Sequence, residues 1–313
     1  MREYRLALAT ASATFVLLVI GGVVHATGSS LACPDWPLCY GQVFPAMTGG
    51  VLFEHGHRLA AATVALLTAS LAVLVFLRRR DRTLRALAAL AVALVLVQAA
   101  LGGITVVYKL PLLVSTGHLA TSMAFFSTVI YLAHRLRPAE RPPAAAGPRW
   151  LVGAAALATY AQLVLGAFVR HTGSGLACNT RLPLCDGLLW PSFGPAQLHM
   201  AHRLVGVALA VIVLAACVRP AREALRAGLD RSDRADGYPP RAALALAAPV
   251  LVTLQIALGL LTVATYVSVP IVTLHLAFGA LLLADLLALF LSLGGGAARE
   301  GAAESAALAS VAG

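Results

Sequence analysis

The chain has 313 residues, of which 60% are hydrophobic and 12% charged, with a formal net charge of +10. A water-soluble domain carries about 25% charged residues, so the composition excludes that class and points to a polytopic membrane protein. The positive charge alone would suit a nucleic-acid binder, but its placement along the chain excludes that reading too.

Apolar runs long enough to span a hydrocarbon core of about 30 Å fall at residues 5–25, 53–77, 84–106, 112–135, 149–170, 197–218, 241–264 and 270–292. The first begins with basic residues, as a signal peptide does. It is too long for one and runs into a motif that recurs later, so it is read as a membrane helix. The fold class is therefore all-α, with eight transmembrane helices. Arg2 and Arg5 precede the first helix, and Arg78, Arg79, Arg80, Arg82 and Arg85 join the second to the third. Arg135, Arg137, Arg141 and Arg149 join the fourth to the fifth, and Arg219, Arg222, Arg226, Arg231, Arg234 and Arg241 join the sixth to the seventh. The other connections hold chiefly Lys109 and Arg181. This alternation is the positive-inside pattern. It predicts a cell (plasma) membrane protein with both termini cytoplasmic, and it makes the basic balance a topology signal.

The chain writes one unit twice. Thr27-Gly28-Ser29-Ser30-Leu31-Ala32-Cys33, Pro37-Leu38-Cys39 and Glu54-His55-Gly56-His57-Arg58 return as Thr172-Gly173-Ser174-Gly175-Leu176-Ala177-Cys178, Pro183-Leu184-Cys185 and His199-Met200-Ala201-His202-Arg203. Cys33 and Cys178 are 145 positions apart, as are His57 and His202. Gln98 to Gly102 and His118 return as Gln255 to Gly259 and His275, 157 positions on. Two tandemly duplicated four-helix bundles are expected. The first spans 1–137, a Pro-rich cytoplasmic linker spans 138–148, the second bundle spans 149–293, and a disordered tail follows at 294–313. The polar stretch 219–240 reads as a loop or a short surface helix.

The predicted topology puts Cys33, Cys39, Cys178 and Cys185 in the outer, oxidising space, each pair within one loop. Disulfides inside each loop are expected; a four-Cys zinc site and free thiols are the alternatives. Cys217 reads as an ordinary buried thiol. Eight of the nine histidines fall toward the outer side: His25, His55, His57, His118, His171, His199, His202 and His275; His134 does not. His57, His118, His202 and His275 each sit about four to six residues inside the outer end of an even-numbered helix, roughly 6–9 Å deep. Equal depth on alternate helices suggests two sites of two imidazoles each. That is the arrangement which grips a haem iron from both faces, whereas zinc or copper favours three or four ligands in a tighter cluster. Arg58 and Arg203 follow two of these histidines and are placed to pair with haem propionates, or else to snorkel to the interface. Glu54, one turn before His57 on the same helical face, is an acid at membrane depth and so a functional candidate. The second copy has His199 in its place, so the two halves are expected to do different work. Asp285, deep in the last helix, is expected to take an Arg partner and has no assigned chemistry.

Together, Glu54-x-x-His57-Arg58, His118, His202-Arg203, His275 and the Cys pairs of both outer loops resemble the haem A synthase family, in the subgroup with two cysteines in each loop. The resemblance covers about residues 10–292. It implies oxidation of a methyl group of haem O to the formyl group of haem A, for terminal oxidase biogenesis. It implies haem B as resident cofactor on His202 and His275, and a substrate site for haem O on His57 and His118, with Glu54 at the chemistry. It further implies a membrane electron carrier such as a quinone, haem O synthase (protohaem farnesyltransferase) as membrane partner, no nucleic acid, and room for an oligomer. Two other classes use similar ligands. A bis-His electron-transfer cytochrome has no need of Glu54, and a haem carrier needs a weaker second ligand set.

Overall fold

A computed structural model of the protein describes residues 1–138, 149–179, 182–226 and 241–293. Its described residues form eight long helices: α1 (Arg2–Ala26), α2 (Gly49–Arg78), α3 (Arg82–Val107), α4 (Leu112–Leu136), α5 (Arg149–His171), α6 (Gly194–Arg226), α7 (Arg241–Ala264) and α8 (Val269–Ser292). All eight are long and apolar enough to cross a membrane. Within hydrocarbon the backbone must satisfy its own hydrogen bonds, and a helix does so within one segment. The hydroxyls on these helices follow suit: Thr14, Thr68 and Thr159 each donate to the carbonyl four residues back at 2.7–2.8 Å.

The ends are set by local chemistry. Asp81 caps α3, its Oδ1 accepting from the N–H groups of Thr83 and Leu84 at 2.7 and 3.1 Å. That N-terminal carboxylate also suits the helix dipole. The backbone N–H groups of Leu84 and Thr83 hold the exposed Asp81 carboxyl below its ordinary range, and Arg135 adds to this. Pro270 sits in the first turn of α8, where its missing N–H costs nothing. The helix bounds follow the apolar runs closely, with one difference. α6 continues through Pro220 to Arg226, so the first part of the 219–240 stretch, read as a loop or a short surface helix, is a continuation of α6. The remainder of that stretch, the 139–148 part of the linker and the tail from 294 lie outside the described residues.

Helix packing gives two closed rings. α1 packs on α2, α2 on α3, α3 on α4 and α4 back on α1; α5, α6, α7 and α8 repeat the pattern. Between the rings α1 meets α8, α4 meets α5, and α4 meets α8. Exchanging α1 with α5 and α4 with α8 maps this set onto itself, so the contact pattern has twofold character. Each ring has its own core, around Leu71, Val75, Ala88 and Leu132 in the first and Val152, Val213, Leu286 and Leu289 in the second. The seam between them is filled by Leu18, Met123, Phe126, Ala280 and Leu283. Close approach there needs small residues: a Cβ on Gly22 of α1 would stand 3.0 Å from the Leu276 side chain of α8.

Described arginines beside α2 and α4 lie at one end of the bundle. Arg79, after α2, pairs with Glu3 of α1 at 3.5 Å, and Arg135, late in α4, pairs with Asp81 before α3 at 3.1 Å. The cysteine loops and the four paired histidines lie toward the other end.

Candidate functional site

Each of the two cysteine loops follows an odd-numbered helix, and the same local devices build both. Gly28 and Gly173 take φ of 68° and 69° just past α1 and α5, a backbone that a residue with a Cβ adopts only at a cost. Thr27 and Ser29 share a hydroxyl contact of 2.8 Å, as do Thr172 and Ser174. Cys33 pairs with Cys39 and Cys178 with Cys185, at S–S distances of 2.00 and 2.17 Å. All four cysteines are buried, so the thiolates that the zinc alternative needs are taken up in disulfides. Cys217 is the free cysteine and is buried. In the first loop Asp35 accepts from the N–H groups of Gly41 and Tyr40 at 2.8 and 2.7 Å. Those two bonds, Gly41 first, hold its exposed carboxyl below the ordinary range.

Glu54 lies under the first loop and is 4% exposed. Its Oε2 accepts the backbone N–H of Cys33 at 2.7 Å, and its Oε1 accepts from Arg58 Nη2 at 2.7 Å. The other guanidinium nitrogen of Arg58 donates to the carbonyl of Asp35 at 2.8 Å and also to that of Leu38. Arg58 therefore spends its donors on the loop and on Glu54. At the matching place in the second half, Arg203 Nε donates to His199 Nε2 at 3.2 Å, and Nη1 reaches the Pro183 carbonyl at 3.2 Å. At the place of the Glu54–Arg58 ion pair, the second half thus has a guanidinium donating to an imidazole nitrogen. Trp36 of the first loop lies on α3, where a Cβ on Gly103 would meet its ring at 2.9 Å.

His57 and His202 each lie eight residues into α2 and α6, and His118 and His275 each six into α4 and α8. α2, α6 and α8 begin earlier than their apolar runs, so the distances from the helix starts pair up as about 12 Å and about 9 Å at 1.5 Å per residue. Every one of the four rings rests on a glycine of the preceding helix. A Cβ on Gly21, Gly102, Gly166 or Gly259 would stand 3.1, 3.5, 3.0 or 3.2 Å from Cε1 of His57, His118, His202 or His275, respectively. The second pair fits a shared metal. The His202 and His275 ring centres are 6.4 Å apart with planes at 78°, and two imidazoles each about 2 Å from one ion have centres roughly 6 Å apart. In the first half, His118 is within electrostatic range of His57 and of His171. The Nδ1 atoms of His57, His118 and His275 are buried without a hydrogen-bond partner.

Sequence reasoning missed several neighbours of these rings. A glutamine stands four residues before three of the four glycines: Gln98, Gln162 and Gln255, with Leu17 in the fourth place. Gln98 Nε2 donates to the His118 carbonyl at 2.9 Å, and Gln162 Nε2 to the His202 carbonyl at 2.8 Å. The repeated Gln98 and Gln255 segments carried the signal; the same spacing from Gln162 to Gly166 would have extended it. His25 and His171, given no role from sequence, meet across the seam with ring centres 4.7 Å apart, and Arg170 Nη2 donates to the His25 carbonyl at 3.2 Å. Asp285 is 9% exposed, its Oδ2 has no hydrogen bond, and it has no ion pair among the described residues, so the expected arginine partner is not found there. Two clefts lie away from the histidines. One runs between α2 and α3 beside Ala62, Ala65 and Val95, and the other lies near the arginine-rich end beside Tyr131, Arg149 and Phe290.

Comparison with known proteins fits this constellation. The family described as cytochrome oxidase assembly protein (COX15-CtaA) matches residues 4–49 and 48–287. A haem A synthase of Bacillus pumilus is 33% identical over 230 residues, covering 68% of this chain and 74% of that protein. One from Symbiobacterium thermophilum is 34% identical over 230 residues with the same coverage, and one from Bacillus licheniformis is 31% identical over 235 residues, covering 70% and 75%.

Proposed function

The chain belongs to the COX15-CtaA family of cytochrome oxidase assembly proteins, and on that footing we propose that it oxidises a methyl group of haem O to the formyl group of haem A. The observation that carries the residue assignment is the asymmetry between two otherwise matching histidine sites: Glu54 beside His57 in one, His199 beside His202 in the other. His202 and His275 hold a resident haem B in the C-terminal half, a role supported by their 6.4 Å ring separation. His57 and His118 receive haem O in the N-terminal half, which arose with its partner by duplication. Both termini face the cytoplasm, and the haem sites lie toward the outer side.

Converting CH3 to CHO removes four electrons and adds one oxygen atom, redox chemistry that no side chain supplies. What a bound haem B contributes is one-electron capacity, exchanged with a membrane carrier such as a quinone. The protein's own part is positioning and electrostatics. Glu54 keeps free lone pairs beyond the two that accept from Arg58 and Cys33, since a carboxylate accepts about four hydrogen bonds. It is therefore able to stabilise positive charge developing on the methyl carbon, or to orient and deprotonate an incoming water. Arg58 holds the carboxylate in place through one oxygen, and the disulfide loop supplies the N–H that fixes the other. Arg203 steadies His199 beside the resident site. Haem O is handed over within the bilayer by the farnesyltransferase that makes it. Feeding haem O and a quinone couple to the purified protein, and separating the products by chromatography, tests the proposal. Haem A is the expected product. Haem O recovered unchanged, with haem B alone at two per chain, would instead identify an electron-transfer cytochrome.

A further inference from the structure

We propose that Arg170, His25 and His171, which meet at the cysteine-loop end of the seam, form the carboxylate site that holds the haem propionates of both halves. The inference rests on the reading of the four paired histidines as haem ligands.

Gly21 seats the His57 ring and Gly166 the His202 ring. His25 follows the first glycine by four residues, and Arg170 follows the second by four. Four residues along a helix is one turn on the same face, so each basic side chain stands one turn beyond a ring seat, toward the cysteine loop. At the matching places of α3 and α7, four residues after Gly102 and Gly259, stand the buried Val106 and Val263. The two basic positions do not stay apart. Arg170 Nη2 donates to the His25 carbonyl at 3.2 Å, and the His171 ring meets the His25 ring edge-on with centres 4.7 Å apart. His171 is also within electrostatic range of His118. Three basic side chains thus gather where the rims of the two histidine sites adjoin.

A basic residue in the last turn of a helix suits the helix dipole, and His25 and Arg170 end α1 and α5 in that sense. The dipole does not account for what the guanidinium lacks. Arg170 is half-buried, and its side-chain hydrogen bond among the described residues goes to a carbonyl. Among those residues no carboxylate pairs with it, with His25 or with His171. A guanidinium presents its N–H donors in a fork that matches a carboxylate, and withdrawing its charge from water without a counter-charge is costly. Each imidazole adds an N–H of its own. Arg58 and Arg203, the arginines that the sequence places for propionates, are turned to Glu54, His199 and the loop carbonyls instead. A haem carries both its carboxylates on one edge of an otherwise apolar ring, and this cluster offers them an unanswered cation beside both sites.

The test uses the full-length protein in detergent, loaded with haem B or with haem B dimethyl ester, and reads the rate of haem loss to excess apomyoglobin. The ester keeps the iron and the ring but has no carboxylate. A hydrogen bond to a charged group is worth about 10–100-fold in affinity, so the wild type should hold haem B more tightly than the ester by about that factor. Arg170→Leu should bring haem B down to the level of the ester and leave the ester's own retention unchanged. Arg170→Lys should keep part of the preference, because a point charge replaces the fork. In the same assay with haem O and its dimethyl ester in the first site, His25→Leu combined with His171→Leu should reduce the preference for the free acid. Equal retention of haem B and its ester by the wild type would overturn the proposal without any variant, as would a wild-type preference kept by Arg170→Leu. An undiminished haem O preference in the double histidine variant would overturn the sharing of the cluster by both halves. His202→Ala separates this from the parent reading. Loss of haem B there, with the ester held as well as haem B by the wild type, sinks the present inference alone, and retention of haem B in His202→Ala sinks both.

Discussion

Glu54 is gripped from two directions, by the Arg58 guanidinium on one oxygen and the Cys33 N–H on the other, both at 2.7 Å. Glu54→Gln keeps the size of the side chain but not its charge. It should fold, keep haem B and bind haem O, yet make haem A more slowly by about 10²–10³-fold, the usual worth of a group aimed at developing charge. A hydroxymethyl intermediate should accumulate on the substrate. Glu54→Asp retains the charge and should keep part of the rate; near-normal haem A output from Glu54→Gln would strip Glu54 of its role. The glycine seats give a second residue-scale prediction. An added methyl at Gly166 would stand 3.0 Å from His202 Cε1, tighter than the 3.5 Å between Gly102 and His118. Overpacking of this kind costs about 1–3 kcal/mol. Gly166→Ala should therefore lower haem B retention by about tenfold or more, and Gly102→Ala should disturb its own site much less, both read from haem content and absorption spectra.

At the scale of elements, the two cysteine loops are alike in build and unlike in what they hold. The first carries the N–H donor for Glu54 and lays Trp36 on Gly103; the second meets Arg203 through the Pro183 carbonyl. Cys39→Ser should thus reduce haem A formation while leaving haem B content near wild type. Cys185→Ser should lower haem B content first, and a spectrum unchanged by Cys185→Ser together with one altered by Cys39→Ser would reverse the roles given to the loops. The helices themselves were legible in the sequence because a run of about 20 apolar residues is a one-dimensional signal. α6 outran its apolar stretch because Pro220 and the arginines after it are tolerated once the chain has left the hydrocarbon. The histidine pairs were legible through repetition. The Gln162–His202 contact and the glycine seats were not, because they depend on which helix neighbours which, and no spacing within one helix encodes that. From its place at the rim Arg58 reads as a partner for propionates or the interface; its bonds to the loop carbonyls depend on how the loop folds back.

The whole molecule separates charge from chemistry along the membrane normal. Arg79 and Arg135 form ion pairs at one end, and the disulfides and histidine pairs occupy the other. A reporter fused within 138–148 should read cytoplasmic and one within 40–50 external; the opposite outcome would remove the compartment that favours disulfides. Across the bundle, the twofold contact pattern sets two histidine sites side by side, and the account rests on their having different occupants. Mass identification of the haems extracted from wild type and from His57→Ala, His118→Ala, His202→Ala and His275→Ala tests that most directly. The wild type should yield haem B with haem O or haem A. Loss of His202 or His275 should abolish the haem B, whereas loss of His57 or His118 should leave it largely in place and end haem A production. Haem B lost with His57 or His118 but kept with His202 or His275 would contradict the assignment of the halves.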